Sequence, residues 1–120
     1  MTKVRYPFGP ADVITVTDGD LSSVAIQSNR TILEISGLTG AETLNLGDLS
    51  EDAEIITGSE LSIVVSQGAT GRNVTLGTGF HAGAPDLTGV ANDVDVLELF
   101  FNGTSFVPKT AAWNKIVDAV

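Results

Sequence analysis

The sequence predicts an all-β protein: an antiparallel, jelly-roll-like β-sandwich of about seven to nine short strands, closed by a short C-terminal helix. Three observations lead there. Apolar residues alternate with polar ones over short runs, the mark of a strand with one buried face. Thirteen glycines and frequent Ser and Thr punctuate those runs about every eight to twelve residues, the spacing of a sandwich or barrel. Helical spacing of apolar residues is confined to the final ten positions. No period of about 20 to 50 residues signals a solenoid.

Taken in order, "DVITVT" alternates Ile14 and Val16 with Thr15 and Thr17, and "SSVAIQ" sets Val24 and Ile26 on one side. Between them Asp18-Gly19-Asp20 reads as a hairpin turn. "TILEIS" carries Leu33 and Ile35 inward with Glu34 outward, and "TLNL" aims Leu44 and Leu46 the same way. The acidic "GDLSEDAE" is a surface loop. "ELSIVVS" places Leu61, Ile63 and Val65 on one face, and "NVTL" turns Val74 and Leu76 inward. A Gly- and Pro-containing connection, "GTGFHAGAPDLTG", leads to "DVLELFFNGTSFVP". There Asn102-Gly103 suits a type I′ hairpin with a two-residue loop, which would pair Leu99 with Phe106 and end an edge strand at Pro108. In "AAWNKIVDAV", Trp113, Ile116, Val117 and Val120 recur at helical offsets. A helix that short is marginal alone and must dock. The chain therefore divides into an N-terminal arm (1–10), a β-sandwich domain (11–110) and an amphipathic helix (111–120).

The composition narrows the chemistry. With no cysteine, disulfides, thiolate metal sites and thiol nucleophiles are excluded. Fifteen acids against six scattered bases give a net charge of −9, which argues against direct nucleic-acid binding because backbone contacts need clustered cations. No apolar run is long enough to span a bilayer and the N-terminus has no signal-peptide core, so no membrane partner is expected and synthesis in the cytoplasm is.

"SQGATGRNVTLGTGF" invites a phosphate-loop reading, but the Lys-Ser/Thr of a P-loop is missing after Gly71. "GTGFHA" fits a loose dinucleotide pattern, yet "GAPDLTG" after it cannot make the helix whose N-terminus would face a pyrophosphate. The glycines read as bends between strands. His81 is the single histidine, so a His-based metal cage is impossible, and no nucleophile elbow places a serine beside it. "DGD" and "NDVDV" fall short of the Asp-x-Asp-x-Asp-Gly calcium loop. Catalytic, cofactor and metal sites are all expected to be absent, and the protein is expected not to be an enzyme.

The passages "ELSIVVSQGATGRNVTLGTGF" (60–80) and "LELFFNGTSFVP" (97–108), about half the chain with the segments around them, resemble small all-β structural proteins of tailed bacteriophage virions, such as head decoration, auxiliary capsid and head-fibre modules. The resemblance implies a sandwich on a virion, made in the host cytoplasm. It implies packing against major capsid or fibre subunits and a homo-oligomer such as a trimer. Tyr6 and Phe8 in the arm and Trp113, Ile116 and Val117 in the tail are the expected partner-binding residues, with Pro7 and Pro10 stiffening the arm. Both termini folding back over their own sheet edges is the competing expectation. A carbohydrate-binding module is the alternative function.

Overall fold

A computed structural model describes residues 11–47, 49 and 55–117, and of Val117 the backbone. The protein is all-β, with eight strands among these residues: β1 (Asp12–Val16), β2 (Arg30–Ile35), β3 (Glu42–Leu44), β4 (Glu60–Ser66), β5 (Val74–Leu76), β6 (Val94–Phe101), β7 (Phe106–Pro108) and β8 (Asn114–Val117). One sheet runs β1-β2-β4-β6-β7, with β8 also paired to β6; a second consists of β3 and β5.

The pairing corrects the antiparallel expectation. β1, β2 and β4 are mutually parallel, as are β3 and β5, and only β6 with its neighbours β4, β7 and β8 is antiparallel. Parallel neighbours need crossover connections, which a jelly roll lacks. Here the crossovers run through the second layer. After β1 the chain makes a β-turn, with the Asp20 N–H donating to the Thr17 carbonyl at 3.0 Å and Gly19 at φ +88°. It does not return along β1 as a hairpin would. Instead Val24 forms a parallel bridge with Leu46, just beyond β3. The polypeptide thus winds in successive turns, each laying one strand in the first sheet and one segment in the second.

The turns are unequal. Asp12 aligns with Thr31 and Arg30 with Glu60 in the first sheet, while Val24 aligns with Leu46 and Glu42 with Val74 in the second. Repeats of different length leave no sequence period, although the backbone stacks like a short solenoid.

Alternation within the strands sets the register. Ile14, Leu33, Ile63 and Leu97 lie side by side across β1, β2, β4 and β6, next to the row Val16, Ile35 and Val65. Leu33, Ile35, Leu61, Ile63, Val65, Leu97 and Leu99 of the first sheet are buried in one cluster with Leu21, Val24, Ile26, Leu44, Leu46 and Val74 of the second layer. A one-residue slip would turn every one of these side chains to the solvent face.

β7 ties the layers together. Phe106 is fully buried, pairs with Phe101 of β6 (ring centroids 5.2 Å apart), and exchanges backbone bonds with Gly79 and His81 beyond β5. The Asn102-Gly103 turn is present, but its loop is longer than expected and Phe101, not Leu99, faces Phe106; Leu99 faces Pro108. The reason lies in the Asn102 side chain, whose Oδ1 accepts the N–H groups of Thr104 and Ser105, both at 2.9 Å. That local bonding holds a wider turn in which only Gly103 takes positive φ. The shift of two residues keeps every side chain on its intended face.

The C-terminal helix is also corrected. The described residues contain no helix, and Asn114–Val117 forms β8 against Val94–Val96. A helix of one apolar stripe and few residues competes poorly with an open ladder on β6, and Ile116-Val117 is a β-branched pair suited to a strand. Asn114–Val117 is therefore part of the main sheet, and residues 118–120 lie outside the described residues. The expected arm, with Tyr6 and Phe8, lies outside the described residues.

Candidate functional site

The expected attachment residues of the tail are separated by β8. Trp113 is half-buried against the core, and its Nε1–H donates to the Pro85 carbonyl at 2.8 Å. Both contacts lie within its own fold. Val117 is backbone-paired with Val94. Ile116 falls at the register shift between Val94 and Asp95 and stands 58% exposed, a bulge aiming an apolar side chain into solvent. Lys115, opposite Asp95, reaches inward: its Nζ is 2.9 Å from Oδ2 of Asp93, a carboxylate with no exposed side-chain surface. The contact is close, yet neither Asp93 oxygen has a hydrogen bond of good geometry, so the attraction is Coulombic rather than directional.

The outer face of the first sheet holds a shallow groove of about 190 Å³ between β2, β4, β6 and the residue after β7. Arg30, Glu60, Ser62, Glu98 and Lys109 line it, and none of these was singled out by sequence. Glu60 faces Phe100 and Ser62 faces Glu98, so the two glutamates sit diagonally across neighbouring strands. Lys109 Nζ bonds Glu60 Oε1 at 2.8 Å, and its backbone N–H donates to the Glu98 carbonyl at 2.8 Å. The Lys109 hydrogen bond and charge, with Arg30 adding to them, hold the Glu60 carboxyl below its ordinary range. Both charge signs and a hydroxyl on one rigid face can donate to and accept from a polar ligand. No local pattern announces this groove, since it exists only once β4 and β6 are in register.

The glycine-rich segment is a backbone-packing device. Gln67 Nε2 donates to the Arg72 carbonyl and Gln67 Oε1 accepts the Arg72 N–H, both at 2.8 Å, closing the loop after β4. Gly71 and Gly89 lie where two backbones meet, so that a Cβ on either would strike main-chain atoms of the other segment. Asn73 Oδ1 accepts the Gly89 N–H at 3.0 Å and fixes that approach.

His81 is exposed in a turn. Its Nδ1 accepts the Gly83 N–H at 3.1 Å, which places the proton of the neutral ring on Nε2. The turn at Asp18 joins successive windings: Asp18 accepts from Thr39 N–H (3.2 Å) and Oγ1 (2.7 Å), while the Glu42 carboxylate accepts the Gly19 N–H. The Thr39 hydrogen bonds push the Asp18 carboxyl down, whereas burial and then Asp18 push Glu42 up. Among the described residues no three His, Asp or Glu side chains are grouped to hold a metal ion.

No family model, curated protein or solved structure matches the chain.

Proposed function

We propose that this chain is a non-enzymatic structural subunit of a tailed-phage virion, a head decoration, auxiliary capsid or head-fibre protein, built as a two-layer β-sandwich of stacked turns. It works by packing against capsid or fibre subunits and against copies of itself. Support comes from the way apolar surface is presented: Ile116, Val13 and Phe100 stand exposed on strands whose backbones are already held in ladders. Contact through such side chains orders little that is not already ordered, and many copies on a lattice multiply weak contacts. Within the tail, Ile116 carries the attachment and Trp113 the folding. Deleting residues 111–120 would not isolate attachment, because it strips β8 from β6. Mass spectrometry of purified virions, with Ile116→Asp as the probe, is the informative test. The wild-type chain is expected in stoichiometric amounts and the folded variant in strongly reduced amounts. A chain abundant in infected cells yet missing from purified particles refutes the reading.

A carbohydrate-binding role is the second reading, favoured by the groove around Glu60, Ser62 and Lys109. Saturable calorimetric binding of a polysaccharide, lost on Lys109→Met, would replace the first reading with this one.

A further inference from the structure

We propose that the free edge of β1 is a homodimer seam, where two copies pair antiparallel about Ile14 and join their main sheets into one. β1 is the terminal strand of its sheet among the described residues. In a parallel ladder, residues bonded to the neighbouring strand alternate with residues whose N–H and C=O point the other way. The Ser36 N–H donates to the Val16 carbonyl at 3.2 Å, which identifies Val16, and with it Ile14 and Asp12, as the residues bonded to β2. Val13 and Thr15 therefore aim their backbone groups at the open side. Among the described residues nothing meets them there.

Edges in soluble proteins are normally blunted by Lys, Pro, a bulge or a covering element. The run "DVITV" has no Lys or Pro, keeps register with β2 over all five positions, and is β-branched from Val13 through Val16. Val13 is 54% exposed. Such a strand is a template, and its own sequence is a suitable partner. In a two-fold register centred on Ile14, Val13 faces Thr15 of the second copy and the reverse, giving four backbone hydrogen bonds. Ile14 meets Ile14 on the core-facing side, extending the Ile14–Leu33–Ile63–Leu97 row. The only charge, Asp12, faces Val16 of the second copy. The two Asp12 residues lie four steps apart, about 13 Å at strand rise and longer than the screening length of about 8 Å at physiological ionic strength, so the chain's net charge does not forbid the seam. The pairing is isologous and closes at two copies. The seam shares Val13 with the packing surface proposed above, but it rests on the backbone groups of β1, and a dimer of the isolated chain would form whether or not the chain enters a virion.

Sedimentation equilibrium of the full chain, from micromolar to sub-millimolar concentration, should report twice the 12.4 kDa monomer. Thr15→Pro removes an N–H that is unpaired in the monomer and bonded in the dimer, at an edge position that tolerates Pro. It should weaken dimerisation at least tenfold with unchanged circular dichroism and melting temperature. Val13→Lys, which alters no backbone group, should do the same and decides the matter should Thr15→Pro misfold. Hydrogen exchange should show the Val13 and Thr15 amides protected in the dimer only. A wild-type monomer at every concentration, a trimer or open polymer, a dimer indifferent to the variants, or protection of these amides in monomeric protein would overturn the proposal.

Discussion

Replacing Lys115 by Met leaves the Asp93 carboxylate buried without the cation 2.9 Å away, while keeping most of the aliphatic packing. At an effective dielectric of about 20, that separation corresponds to roughly 6 kcal/mol of attraction before desolvation. Burying the carboxylate offsets most of it, so the intact pair contributes little net stability. Removing one partner exposes the offset alone. For fully buried pairs this costs about 3–5 kcal/mol, but the Lys115 side chain is 43% exposed and solvent screens it, which brings the expected loss to roughly 2 kcal/mol. In a chain of 120 residues that is a fall in melting temperature of about 8 °C. The decisive assay is a urea-denaturation double-mutant cycle with Asp93→Asn. Because the neutral amide of that variant needs no counter-charge, K115M should cost far less in the D93N background, with a coupling of about 1–2 kcal/mol. A coupling within about 0.3 kcal/mol of zero would refute the Coulombic attraction between the two side chains.

Two other perturbations test the packing and the charged groove. Gly89→Ala drives a Cβ into the backbone of Arg72, and neither segment can yield as a side chain would; a loss of about 1–3 kcal/mol in urea denaturation is expected. Gly68→Ala, whose Cβ meets nothing within 4 Å, should stay within about 0.5 kcal/mol of wild type. Since the Glu60 carboxyl is held below its unfolded value, its stabilising contribution is present above the ordinary Glu range near pH 4.3 and is lost as pH falls through the folded value. The stability gap between wild type and Glu60→Gln should therefore be largest near neutrality and close in acid; comparing the two proteins cancels the opposite trend from the raised Glu42. A gap that widens in acid would contradict it.

The core was legible where a strand carries its own alternation. Leu33 and Ile35, Leu61, Ile63 and Val65, and Leu44 and Leu46 can be assigned inward from "TILEI", "ELSIVV" and "TLNL", and all are buried. Direction was not legible. Alternation names a strand's buried face but says nothing of whether its neighbour runs with it or against it; that depends on where the connection goes. "DGD" is a genuine turn, but the turn deflects the chain into a second layer, and no residue in it encodes that difference. Trp113 and Ile116 share a helical offset, but the ladder on β6 takes up Asn114–Val117 as a strand and leaves Trp113 just before it. The groove and the Asp93–Lys115 contact unite residues far apart in sequence, so no local pattern could reveal either.

The two sides of the sheet end differently, and this follows from how the windings stack. Each parallel turn leaves a free ladder of the same kind as the one it covers, so stacking alone has no natural stop. At one end β6 supplies it by reversing direction, with β7 and β8 laid along its far side and β7 also bonded to the second layer. At the other end β1 has no such reversal among the described residues. A partner meeting the β6 end finds exposed side chains such as Ile116 and Phe100, whereas one meeting β1 can bind through the backbone itself. The two ends therefore respond to different mutations: surface charge at Ile116 should affect one contact, and loss of a single N–H at Thr15 the other, with neither change reaching the shared core.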